Sequence, residues 1–104
     1  MTRRQARRLG ATDGAEDVEI FAREQGEQAL LDASVSGWDE GAINAGVADL
    51  QRVPRHLQDA YYVAYERAAQ RAARRLRHEI RAKVQRGEPL DAGIYGDPMI
   101  QEAA

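Results

Sequence analysis

Residues 54–86 read PRHLQDAYYVAYERAAQRAARRLRHEIRAKVQR, and neither glycine nor proline interrupts them after Pro54. The stretch is dense in Ala, Leu, Arg, Gln and Glu, all strong helix formers. Pro54 suits a first helical turn, where its missing N–H costs nothing. The residue before it, Val53, is pushed out of the helical region. A single long helix over about 54–86 follows. At 1.5 Å per residue some 30 residues extend roughly 45 Å, longer than a compact domain of this size is wide. Other elements must therefore cover it along its length. Leu57, Tyr61, Tyr65, Ala68, Ala72, Leu76, Ile80 and Val84 form its apolar stripe. Their mean step exceeds 3.6 residues, so the stripe drifts around the helix and matches a heptad seam poorly. The drift suggests packing first against the preceding helices and then, past Ala72, against a second copy of the chain. Ile20, Leu31 and Val35 upstream, with Leu76, Ile80 and Val84, exceed what a three-helix monomer can cover, so a homodimer is the expected assembly.

Upstream, residues 15–36 are good helix formers apart from Gly26. Val18, Phe21, Ala22, Ala29 and Ala33 fall on one face of such a helix, and Ile20, Leu31 and Val35 on nearly the opposite one. Asp13-Gly14 reads as a turn, with Asp13 capping the helix that follows. Gly37 suits its stop, and Asp39 the cap of a shorter helix over about 39–52, in which Ile43, Val47 and Leu50 make one buried stripe. The β-branched residues are scattered, with no run of period 2, so strands have no support. The expected architecture is all-α: two shorter helices, about 15–36 and 39–52, packed on the long one. Residues 1–12 are expected as a flexible basic arm, 13–87 as the single helical domain, and 88–104 as an irregular acidic tail.

Charge is sorted along the chain. The net charge at pH 7 is only -2 across 104 residues, with 15 Lys+Arg against 17 Asp+Glu. Residues 1–12 nevertheless carry four arginines and no acid, and residues 13–49 hold ten acids against Arg23 alone. Residues 67–86 hold eight bases against the single acid Glu79. Blocks this polarised imply that acid meets base within the fold, or that one block meets a partner. On the long helix Arg67, Arg71, Arg74, His78 and Arg81 recur at steps of 4, 3, 4 and 3. That spacing places them on one line about 21 Å long, away from Leu76 and Ile80. Arginines so spaced suit a phosphate backbone, through bidentate charge-assisted hydrogen bonds. The competing expectation is that the acidic half folds against them, since a charged stripe opposite an apolar one is what any amphipathic helix shows. Tyr61 and Tyr62 diverge by about 100° on a helix, so both cannot enter one core. Trp38, Tyr61 and Tyr65 are the expected core aromatics, leaving Tyr62 as the candidate contact, a residue type enriched at binding hot spots.

Chemistry finds little material. There is no cysteine, so disulfides and thiolate metal sites are excluded. Ser34 and Ser36 lack the Gly-x-Ser-x-Gly setting of a nucleophile. His56 and His78 have no companion at zinc-ligand spacing, and the glycines form no phosphate loop. Neither catalytic residues nor a cofactor or metal site is expected. The longest uncharged apolar run falls far short of the ~20 residues that span a bilayer, and Met1–Gly10 lacks the apolar segment of a secretory signal. A cytoplasmic location without membrane contact is therefore expected.

The stretch AGVADLQRVPRHLQDAYYVAYERA, Ala45 to Ala68, resembles ribosome modulation factor, in which an Ala-Gly-rich helix, a proline and a paired-aromatic helix follow one another. It covers 24 residues and lacks that family's Cys-Pro. Nineteen alanines and fourteen arginines beside one lysine fit a GC-rich genome. In size, charge and absence of motifs the chain is similar in type to the accessory proteins of phages and plasmids, anti-CRISPR inhibitors included. The expected function is that of a small non-enzymatic protein-interaction module, a regulator or inhibitor from a bacterium or mobile element. It would work through its acidic half or its basic helix. The alternative is a nucleic-acid- or ribosome-associated protein that binds through the arginine line.

Overall fold

The computed structural model describes residues 1–33 and 52–95, and all regular structure among them is helical. Helix α1 spans Arg3–Gln25, α2 spans Glu27–Asp32, and α3 spans Gln58–Gln85, entered through a 3₁₀ turn at Arg55–Leu57. The predicted helix over 39–52, Trp38, Val35 and the last nine residues lie outside or almost wholly outside the described residues. The described residues form a rod of 50 × 24 × 19 Å. Its long axis is set by α3, whose 28 residues extend about 42 Å.

Helix α1 lies along α3, and the two run in the same direction. Gly10 sits against the backbone of Tyr61, and Gly14, one turn on, against that of Tyr65. A Cβ at either glycine would come within 2.2 Å of the tyrosine carbonyl oxygen. This is backbone-on-backbone packing, which needs small residues in the seam. The sequence supplies them at steps of four: Ala6, Gly10, Gly14 and Val18 are the buried residues of α1. The buried residues on the other side are Leu57 of the 3₁₀ turn and Tyr61, Tyr65, Ala69, Ala72, Ala73 and Ile80 of α3.

This packing corrects the expected start of the first helix. Residues 1–12 are not a free arm; from Arg3 onward they form the opening turns of α1. A capping box starts it: Thr2 Oγ1 accepts from the Gln5 N–H at 3.1 Å, and Gln5 Oε1 accepts from the Thr2 N–H at 2.7 Å. Asp13-Gly14 is not a turn either, but mid-helix. Gly14 serves close approach, and the gain from that contact offsets the roughly 1 kcal/mol each glycine costs a helix relative to alanine. Asp13 accepts from the Tyr61 hydroxyl at 2.7 Å, and Asp17 accepts from that of Tyr65. The two tyrosine rings lie 6.1 Å apart.

The helix expected to run through to residue 36 breaks at Gly26, whose φ of 96° and ψ of 161° lie in a region open essentially only to glycine. The break resets the helical phase. Leu30, which a continuous helix would place between its two apolar faces, is therefore the residue of α2 that is completely buried.

The chain after α3 returns to this break. Gly87 ends α3 in a Schellman motif: its N–H donates to the Val84 carbonyl at 3.1 Å, and that of Glu88 to the Lys83 carbonyl at 3.0 Å. Of the tail, residues 88–95 are described and carry no helix or strand, and residues 91–95 dock between α1 and α2. The N–H groups of Ile94 and Tyr95 donate to the carbonyls of Arg23 and Glu24, capping α1. The Glu27 N–H, at the start of α2, donates to the Asp91 carbonyl at 2.8 Å. The tail thus satisfies orphan groups of two helix ends at once.

Candidate basic interface

The arginine line of α3 is set by what α1 covers. Because α1 takes the face of Tyr61, Tyr65, Ala69, Ala72 and Ala73, the residues at Arg67, Arg71, Arg74, His78 and Arg81 turn outward, and all five are exposed. Among the described residues none of the five has an acidic partner. Several acids of α1 and α2 are engaged elsewhere. Asp13 lies 3.4 Å from Arg52 as well as holding Tyr61, and Glu19 reaches Arg75 at 3.8 Å. Glu27 Oε1 binds Lys83 Nζ at 2.6 Å and also accepts the Asp91 N–H at 2.7 Å. Pairing of acid with base does occur in the fold, through Arg52, Arg75 and Lys83 rather than through the line.

Two further arginines join the line because residues from Arg3 onward are helical rather than a free arm. Arg3 and Arg7, one turn apart on α1, border a shallow groove of about 270 Å³ with Asp59, Ala60, Val63, Ala64 and Arg67 of α3. The basic surface therefore spans two parallel helices, and α1 fixes its second row. Glu79, the single acid of α3 between Arg67 and Gln85, sits about 100° round the helix from His78.

The remaining candidate, Tyr62, is partly buried, unlike the exposed arginines, and has an interaction of its own. Tyr61 and Tyr65 enter the core as expected. Arg77 has a role that sequence reasoning missed. It is 7% exposed, its Nε donates to the Leu30 carbonyl at 2.9 Å, and its Nη2 donates to the Ala33 carbonyl. It closes the C-terminal end of α2, where a cation also meets the negative pole of the helix dipole. The signal available was its place: it lies on the apolar face between Ala73 and Ile80, where a charged residue needs a buried partner.

At the far end of α3, Arg86 Nε and Nη2 reach the two Glu88 oxygens at 2.9 and 3.1 Å. That hydrogen bonding holds the Glu88 carboxyl below its ordinary range and raises Arg86. Of the apolar residues that suggest a dimer, Ile80 is buried and Leu31 and Leu76 pack on the chain's own core, whereas Val84 is exposed. No described helix is long and apolar enough to cross a membrane. No protein-family model matches the chain, and no curated protein or solved structure is significantly similar to it.

Proposed function

We propose that the protein is a small non-enzymatic binding module that docks on an acidic macromolecular surface through Arg67, Arg71, Arg74, His78 and Arg81 of α3, joined by Arg3 and Arg7 of α1. In this reading it acts in the cytoplasm as a regulator or inhibitor of the kind encoded by bacteria and their mobile elements. One observation carries the reading: five basic heads share an exposed line with no acidic partner among the described residues, while Asp13, Asp17 and Glu27 are bound inside the fold. The acidic half is the weaker choice of contact surface for that same reason. A homodimer is not required, since both rows of arginines belong to one chain.

Retention on immobilised heparin at pH 7 tests the proposal. A protein of net charge -2 with mixed charges would flow through, whereas a segregated basic face holds it on the polyanion. The double variant Arg71→Glu/Arg74→Glu should lose retention. Its melting temperature should stay within about 2–4 °C of the wild type, because exposed substitutions cost about 0.5 kcal/mol or less. Flow-through of the wild type would overturn the proposal. So would a variant that unfolds much earlier, which would mean that the line is already paired within the fold.

A further inference from the structure

Resting on that reading, we infer that the acidic partner is the phosphate backbone of double-stranded nucleic acid, bound without regard to sequence. The first ground is dimension. The line from Arg67 to Arg81 rises about 21 Å, which matches about six base pairs at 3.4 Å each. Arg3 and Arg7 extend the basic surface sideways at its N-terminal end, on a helix locked to α3 by Gly10 and Gly14.

The second ground is what the surface lacks. A protein partner needs a desolvated apolar or aromatic centre, ringed by polar residues. Among the described residues the exposed large hydrophobics are Met1, Val63, Val84, Ile94 and Tyr95; only Val63 borders the basic surface, at the groove beside Arg67, and none falls between Arg67 and Arg81, so no apolar cluster forms there. A phosphate backbone asks for no such centre. Single strands are bound by stacking their bases on aromatic side chains, and the line offers none, since Tyr61 and Tyr65 are buried. A duplex keeps its bases stacked and presents only phosphates.

The third ground is chemical. The fixed guanidinium fork takes two phosphate oxygens at once, and four of the five heads on the line, with both on α1, are arginines. Such contacts position a protein on the backbone and do not read bases. Asp13, Asp17 and Glu27 are held within the fold, so the arginines offer their heads to a phosphate backbone from one side of the molecule, with Asp59 the acid that borders their groove.

Fluorescence anisotropy with a short labelled duplex of mixed sequence tests this. Six arginine contacts give a slope of log K against log salt of about -5, so affinity should fall about 10³-fold between 50 and 200 mM salt. Arg71→Glu/Arg74→Glu, with its fold checked by circular dichroism, should make the slope shallower by about 2. The milder Arg71→Gln/Arg74→Gln should do the same. A duplex of different sequence should bind equally, and a single strand of equal length more weakly. Binding that ignores salt, or a single strand that binds more tightly than the duplex, would overturn the inference. Heparin retention with no duplex binding at 50 mM salt, or tighter binding of polyglutamate than of the duplex, would overturn it too and leave an acidic protein as the partner. Failure on heparin as well would remove the proposed function itself.

Discussion

Replacing Gly14 with alanine sets two effects of known sign against each other. In an isolated helix the change is favourable by about 1 kcal/mol. In this fold the new Cβ would lie 2.2 Å from the Tyr65 carbonyl oxygen and 3.0 Å from its carbonyl carbon, against backbone that cannot rotate away. The helices must separate locally or α1 must slide. Overpacking of this kind costs about 1–3 kcal/mol. Movement also stretches the hydrogen bond from the Tyr65 hydroxyl to Asp17, and bonds to charged groups contribute about 1.5–3 kcal/mol. Taking about 2 for each cost and subtracting the helical gain, the net destabilisation is about 3 kcal/mol. For a domain of this size that lowers the melting temperature by about 12–24 °C. Thermal denaturation followed by circular dichroism reads it, with the exposed Thr12→Ala as a control that should change little. A Gly14→Ala protein as stable as the wild type, or more so, would refute backbone contact between parallel α1 and α3.

Arg77→Leu should destabilise by about 2 kcal/mol or more, because the Leu30 and Ala33 carbonyls lose their donor in a buried setting. Arg77→Lys should rescue it only in part, since one ammonium does not reproduce the fork, and urea midpoints would show both. The Arg86–Glu88 pair contributes stability only while Glu88 is ionised. With its folded pKa lowered by Arg86, the contribution is present above the ordinary glutamate range near 4.3 and fades as pH falls through the lower folded value. Melting curves of the wild type and Glu88→Gln should therefore differ slightly at neutral pH and converge in acid, and a gap that widens in acid would reverse the assignment. Light scattering at micromolar concentration should give a mass near 11.6 kDa, because Leu76 and Ile80 are covered within the chain. A mass twice that would restore the dimer that the drifting stripe suggests.

What the sequence made legible was whatever local propensity decides. The long helix and its stop at Gly87 follow from an unbroken run of helix formers and a residue suited to positive φ, and both stand in the structure. What it hid depends on a neighbour distant in sequence. Gly14 reads as a turn because glycine after aspartate signals a loop when nothing is known of its surroundings. Only the backbone of Tyr61 and Tyr65 turns Gly10 and Gly14 into a seam. Ala6, Gly10, Gly14 and Val18 recur at steps of four, and that period was the clue available for extending the helix to Arg3. The docking of residues 91–95 had no comparable clue, since it uses backbone groups that every residue carries.

The same division separates the candidate site into what could be read and what could not. Periodicity alone places Arg67, Arg71, Arg74, His78 and Arg81 on one line. Whether that line is neutralised depends on the side of α3 that α1 takes, and small residues decide this rather than charge. The glycine seam admits α1 only where Tyr61 and Tyr65 present bare backbone, so α1 cannot slide round the helix toward the arginines to satisfy its acids. Two of those acids, Asp13 and Asp17, instead accept tyrosine hydroxyls that flank the seam. Long-range attraction between the blocks would have favoured a collapsed, neutral surface, but exposed ion pairs are worth only about 0–1 kcal/mol each, less than the close packing they would disrupt. Packing therefore outranks charge in positioning α1, and the basic line is left facing solvent as a consequence.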